Sequence, residues 1–298
     1  MKSGFVVVVG RPNVGKSTLV NRMVGSKVAI TSSRPQTTRN AIRGVVTDSD
    51  EVDPDFQIVL VDTPGLHKPK TELGTRLNSL VYGTLADADV VLFLIDATMP
   101  IGPGDRLIAE RLVEANADVV VGVNKIDKAS RQATMAQLIE AAEWSFKDIY
   151  PVSAIKGDGV AELVDELVRR LPEGPRYYPE GMKTDQPENL VIAEIVREKF
   201  LGRLREELPH ALTVRIEEMD QLESGLIDIS ADVIVERKSQ KGIVIGKGGS
   251  LLQMAGTEAR AELETILGNK VNLMLHVVVE KDWQRRPQLL DRFGFDKA

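Results

Sequence analysis

The chain has 298 residues, 43% of them hydrophobic and 28% charged, in the range of a globular protein with length for two cores. It contains no cysteine and three scattered histidines, which excludes disulfides and thiolate metal sites, argues against zinc and fits a reducing compartment. No apolar run approaches the roughly 20 residues of a membrane span, no leader is expected ahead of the first strand, and the net charge of −6 leaves any polyanion to be met by a local field.

From Phe5 to about Leu171 apolar runs alternate with helical patterns, which predicts an α/β domain with a largely parallel sheet. The expected strands are Phe5 to Val9, Ala41 to Thr47, Phe56 to Val61, Val90 to Ile95, Val119 to Val123 and Asp148 to Val152. Their near-continuous Val/Ile/Leu content suits strands covered on both faces, and ligands of such sheets bind beyond the carboxyl ends of the strands. The loop after each strand is therefore where the chemistry is expected.

The first strand runs into Gly10-Arg11-Pro12-Asn13-Val14-Gly15-Lys16-Ser17-Thr18, and a helical pattern begins at Leu19. This is the setting of a P-loop: glycines let backbone N–H groups converge on phosphate oxygens at a helix N-terminus, Lys16 reaches the β- and γ-phosphates, and the Ser17 hydroxyl binds Mg²⁺. Residues 30–39, Ile-Thr-Ser-Ser-Arg-Pro-Gln-Thr-Thr-Arg, are polar and rich in hydroxyls, as befits a switch segment. Thr38 is the favoured residue to complete the Mg²⁺ shell, with Thr37 as the alternative.

After the third strand comes Asp62-Thr63-Pro64-Gly65-Leu66; Asp62 is placed to hold the Mg²⁺ shell and Gly65 to offer a backbone N–H to a γ-phosphate. After the fifth comes Asn124-Lys125-Ile126-Asp127, whose aspartate suits the paired N1–H and N2–H donors of guanine, a pair that adenine lacks. After the sixth comes Ser153-Ala154-Ile155-Lys156-Gly157, with N–H groups to face the guanine O6. The candidate catalytic groups from these motifs are Lys16, Thr38 and Gly65.

Leu171 to Gly181 is dense in proline and glycine, which predicts a first domain over 1–174, a linker over 175–188 and a second domain over 189–298. The second domain reads as a helix (Leu190 to Glu207), strands at Leu212 to Glu217 and Leu226 to Arg237, two helical pieces around a glycine loop, and a strand at Val271 to Val279. Residues 179–298 hold 17 Lys+Arg against 21 Asp+Glu, yet Arg237, Lys238, Lys241 and Lys247 fall in a stretch without an acid. This αββααβ order, with Ile243-Val244-Ile245 before Gly246-Lys247-Gly248-Gly249, resembles a type II KH domain, in which a GXXG loop lets an RNA backbone approach closely while bases lie in an apolar groove. Arg237, Lys238, Lys241, Ile245, Gly246, Lys247, Gly248 and Gly249 are the candidate RNA contacts, with Arg285 and Arg286 open to phosphate and Trp283 expected in the core.

Taken in order, GRPNVGKST, PQTTRN, DTPGLH, NKID, SAIKG and the KH segment resemble the bacterial Era family of translation-factor-type GTPases over the whole chain. The resemblance implies a Ras-like P-loop GTPase coupled to RNA binding, with GTP/GDP and Mg²⁺ at the first domain. It further implies 16S rRNA near its 3′ end and the 30S subunit as partners, with a role in 16S rRNA maturation. A cytoplasmic monomer with no DNA partner is expected, and membrane contact is allowed only as peripheral. Ras-type enzymes place a water-orienting glutamine where this chain has Leu66, and in related GTPases an asparagine at the Asn13 position helps bind K⁺, which adds Asn13 to the catalytic candidates. Leu66 also keeps open a second reading, an RNA-binding assembly factor that uses GTP as a structural latch. A metabolic P-loop kinase is disfavoured by the guanine motif.

Overall fold

The computed structural model describes residues 1–32, 34, 37–48, 55–66 and 69–295. Ser33, Pro35 and Gln36 of the switch segment, and His67, lie outside the described residues. The first part of the chain is β1 (Lys2–Gly10), α1 (Lys16–Val24), β2 (Ile42–Thr47), β3 (Phe56–Asp62), α2 (Glu72–Ala86), β4 (Val90–Asp96), α3 (Pro103–Glu114), β5 (Val119–Asn124), α4 (Arg131–Ala142), β6 (Asp148–Val152) and α5 (Val160–Arg170). The strands lie in the order β2-β3-β1-β4-β5-β6, with β2 antiparallel to β3 and every other pair parallel.

The valine run of β1 explains the three-layer build. Val6 and Val8 face a core shared with Leu19 of α1 and Leu163 of α5, while Val7 and Val9 face one shared with Val81 of α2 and Ile108 of α3. A strand buried on both faces has no polar side to present, so its alternation disappears from the sequence. Register then fixes the site: Val8 pairs with Asp62, Gly10 with Leu94, Asp96 with Asn124 and Asn124 with Val152. The carboxyl ends of β1, β3, β4, β5 and β6 thus form one edge from which the motif loops leave.

The second part comprises α6 (Glu188–Leu201), α7 (Leu208–Ala211), β7 (Thr213–Gln221), β8 (Ile227–Val235), α8 (Lys238–Ile245), α9 (Ser250–Leu267), β9 (Val271–Val279) and α10 (Pro287–Arg292). Its sheet runs β7-β8-β9, antiparallel then parallel. Ile227, Ile229, Ala231, Val233 and Val235 alternate inward from β8 onto α6 and α9. The helix expected over Leu190 to Glu207 is instead broken: α6 ends at Leu201 with Gly202 at its C-cap, and α7 is a separate single turn. β1 begins three residues earlier than expected, because Lys2 already pairs with Phe56.

A further cluster joins the two parts: Leu73 and Leu77 of α2 pack with Ile234, Trp283, Leu290 and Phe295. Trp283 is fully buried, as its apolar area favours, and its ring stacks on Phe295 at 5.8 Å. Tyr177, in the connection, packs on Phe5 at 5.0 Å.

On α5, Glu166 accepts from Arg169 and from Arg170, which also pairs with Asp118 just before β5 and with Asp148 at the start of β6. Burial alone would raise the Glu166 pKa, but the hydrogen bonds from Arg169 and Arg170 outweigh it and hold the carboxyl below its ordinary value. Stability from this group is therefore fully present above the ordinary glutamate pKa of about 4.3 and is lost as pH falls through the lowered native value. Glu166→Gln should lower the urea midpoint by a constant amount from pH 7 to about 5, and the gap to wild type should close below about pH 4.

Candidate functional site

Lys16 opens α1 and is buried; its Nζ donates to the carbonyls of Gly10 (3.1 Å) and Arg11 (3.2 Å) at the base of the loop. The loop is held from outside. Asn124 Nδ2 donates to the Val14 carbonyl at 2.8 Å, and its Oδ1 accepts from Lys125 N and Ala154 N at 2.8 and 3.0 Å, so one amide ties three motif loops together. Gly15, at φ 102°, is needed here, since a Cβ would stand 2.3 Å from Asn124 Nδ2. Gly65 likewise lies against Pro12, which a Cβ would meet at 2.9 Å or less.

Ser17, Thr38 and Asp62 converge although they come from α1, the switch segment and β3. Ser17 Oγ donates to Asp62 Oδ2 at 2.6 Å and lies 2.9 Å from Thr38 Oγ1, which is itself 3.3 Å from Asp62 Oδ2. Thr37, the alternative candidate, bonds its hydroxyl to the Arg34 carbonyl at 2.7 Å instead. Asp62 is fully buried, and its Oδ1 has no hydrogen-bond partner. Burial raises its pKa, against the pull of Lys16 and the two hydroxyls. An orphaned carboxylate oxygen beside two hydroxyls is an all-oxygen donor set that fits a hard dication such as Mg²⁺, which when bound neutralises charge on the phosphates.

A cavity of about 510 Å³ opens over this point, lined by Pro12, Asn13, Gly15, Thr18, Gly65, Lys125 and Lys128 among others. Asp127 Oδ1 accepts from Ser153 Oγ at 2.6 Å, a bond that ties the loop after β5 to the loop after β6. Lys125, at φ 70°, donates to the Asn13 carbonyl at 2.6 Å and to Asp96 Oδ2 at 2.5 Å. Thr63 is a buried brace on the Val8 carbonyl at 2.8 Å, Pro64 is buried beside it, and Ile126 packs on the core beneath α3.

Leu66 departs from the expected nucleotide-contact set. Its side chain packs on the core beneath α2 and α3 and lines a separate cavity there, where an apolar group gains by leaving water. Sequence reasoning missed Asp96, which pins Lys125, and Arg22, which donates to the Ala154 carbonyl at 3.1 Å. Asp96 ends β4 at the same sheet edge as the motifs, and that position was the available signal.

In the second part, Gly246 (φ 78°), Gly248 (φ 60°) and Gly249 (φ 81°) turn the chain between α8 and α9, conformations that side chains strain to adopt. Lys247 is exposed in this turn, Arg237, Lys238 and Lys241 are exposed at the start and along α8 before it, and Ile245 is half-buried. Beside it, α9 and β9 form a groove of about 330 Å³ lined by Gly249, Leu252, Gln253, Gly256, Arg260 and Asn272 among others. Gln253, Arg260 and Asn272 were not expected from the sequence; the first two come from α9 and the third from β9, which meet only in the fold.

The fold and the two sites define a Ras-like P-loop GTPase carrying a C-terminal KH domain. A family profile described as "50S ribosome-binding GTPase" matches residues 5–125, and a KH-domain profile matches residues 207–284. GTPase Era of Mycobacterium tuberculosis is 54% identical over 300 residues, covering 98% of each chain, and that of Mycobacterium avium is 52% identical over 99% of each. A crystal structure of a variant of Aquifex aeolicus Era bound to GDP·AlF₄⁻ superposes with a TM-score of 0.94 at 40% identity over 99% of each chain. Era in complex with MgGDPNP and nucleotides 1506–1542 of 16S ribosomal RNA also gives 0.94, at 41% identity over 99% of each. The chain belongs to the Era family of GTPases.

Burial lowers the Lys16 pKa to about 8, with Asp62 opposing the shift. Phosphate favours the charged amine, so binding takes up a proton once the free site has lost it. GDP affinity should be flat below pH 8 and fall by up to tenfold per unit above it; isothermal titration in buffers of different ionisation enthalpy should show the proton uptake, and Lys16→Met should abolish both effects.

Proposed function

We propose that the chain binds GTP and GDP at the cavity over residues 10–18, hydrolyses GTP with Mg²⁺, and binds 16S rRNA near its 3′ end in assembly of the 30S subunit. The observation that carries this reading is the meeting of Ser17, Thr38 and Asp62 in a chain whose other half presents a GXXG turn and groove. The Era complex with MgGDPNP and 16S rRNA nucleotides supports the RNA class. In this reading Lys16 and the Gly65 N–H stabilise charge on the transferred phosphoryl group, and Asn124 and Asp127 select guanine. Arg11, Pro12 and Val14 shape the loop, and Ala154 faces the base. The two domains divide at 175–188. Arg237, Lys238, Lys241 and Lys247 meet the RNA backbone, and Ile245 and the groove meet bases.

Leu66 points into the core, so water orientation falls to another group. A K⁺ ion held beside Asn13, which lines the phosphate cavity, is the proposed source of added positive charge. Single-turnover hydrolysis should then run at least tenfold faster in K⁺ than in Na⁺, and Asn13→Ala should erase the difference; equal rates in both salts would remove K⁺ from the account. Cytoplasmic residence as a monomer, with at most peripheral membrane contact, belongs to the same reading and rests on the family resemblance; among the described residues no helix is long and apolar enough to cross a membrane.

The guanine assignment has its own test. Asp127→Asn should weaken GTP binding by about 1.5–3 kcal/mol, the range for a charged hydrogen bond, and should favour xanthosine triphosphate. Unchanged GTP affinity would contradict it.

A further inference from the structure

Thr38 is gripped on both sides by the KH domain. The carbonyl before it, that of Thr37, accepts from Arg197 Nη2 of α6. The residue after it, Arg39, enters the second domain: Nη1 donates to the Leu212 carbonyl at 2.9 Å, and Nη2 to those of His210 at 2.8 Å and Pro209 at 3.3 Å. These carbonyls lie in the single turn of α7 and at its C-cap, where the last carbonyls of a helix take partners from outside it.

Both arginines are locked. Arg39 is 2% exposed and its guanidinium carbon lies 5.8 Å from the ring centre of Trp283, whose indole N–H donates to the Ala211 carbonyl at 2.9 Å. Arg197 is fully buried and is held by a fork on Glu194, two bonds of 2.7 Å each. Farther back, Arg34 donates to the Leu204 carbonyl at 2.8 Å and the Thr31 N–H to Glu198 Oε1 at 2.9 Å. The described residues of the switch segment are thus fastened to α6 and to the chain from Leu204 to Leu212, with Thr38 between the attachments of Thr37 and Arg39.

We infer that Arg39 and Arg197 are positioning residues for the nucleotide site: by fixing the backbone at residues 37 and 39, the KH domain sets where Thr38 Oγ1 stands against Ser17 and Asp62, and so supports the triphosphate state over the diphosphate state. This rests on the reading of Thr38 as a Mg²⁺ ligand that acts when the γ-phosphate is present. Neither arginine touches the nucleotide cavity. Their loss should therefore spare GDP, which does not call on Thr38. A defect of folding alone would lower both affinities together.

The test uses the full chain and fluorescent GDP and GTPγS, with Mg²⁺ titrated. Arg39→Lys keeps the charge without the planar fork, and Arg197→Gln keeps a donor without the charge. Each should lower GTPγS affinity at least fivefold, raise the Mg²⁺ needed for half-saturation, and leave GDP affinity within twofold. Amide exchange should quicken at residues 37–41 and not in β1 or α1. Unchanged GTPγS affinity, or equal losses for both nucleotides, would overturn the inference. Thr38→Ala separates it from the reading beneath it: selective GTPγS loss in Thr38→Ala but not in the arginine variants overturns only the inference, whereas no loss in Thr38→Ala overturns both.

Discussion

A carboxylate buried at the end of a central strand, with one oxygen left without a partner, sets the terms for the rest of the molecule. Asp62 costs free energy where it stands, since an ion removed from water must recover its hydration from neighbours. Ser17 and Thr38 supply part of that recovery at one oxygen, and Lys16 supplies charge from the other side of the loop. The oxygen still unsatisfied is the capacity to take a cation and, with it, phosphate. The parallel sheet matters because its register places Asp62 level with the P-loop strand and keeps it there.

The same convergence explains how two domains become one device. Thr38 reaches Ser17 and Asp62 from a segment in which the described residues Thr31, Arg34, Thr37 and Arg39 also bond to the second domain. α2, which comes after the Asp62 loop, packs its Leu73 and Leu77 against Trp283 and Phe295. The switch segment and the stretch that follows Asp62 are therefore both also interface segments. Binding at one site shifts the other only through contacts that differ between states, and these contacts are the candidates.

Much of the G domain was legible because its signals are local. A valine run, a glycine loop and a helix start in direct succession, and each later motif comes straight after a buried strand. The KH domain was legible in order but less so in extent. The α6 pattern runs on past Leu201 because Leu204 and Leu208 remain core residues, and only the backbone shows that Gly202 ends the helix and that α7 is a new turn. Arg39 donates to carbonyls in and just after that separate turn, so the interface could not be read before the turn was seen. Asp96 and Asn272 on strands and Arg260 on α9 were hidden for a similar reason: their neighbours are distant in sequence, and a charged or amide residue on a strand or helix has a solvated face as its ordinary explanation.

The central claim is that nucleotide state and RNA affinity are coupled through the switch segment, and reciprocity makes that claim measurable from either end. The direct measurement is the affinity of the chain for a 16S rRNA 3′-end oligonucleotide with Mg²⁺–GTPγS and with GDP, paired with the affinity for each nucleotide with and without that RNA. The account predicts that RNA binds at least fivefold tighter in the GTPγS state and that RNA raises the preference for GTPγS over GDP by the same factor. RNA affinity equal in the two states would contradict it.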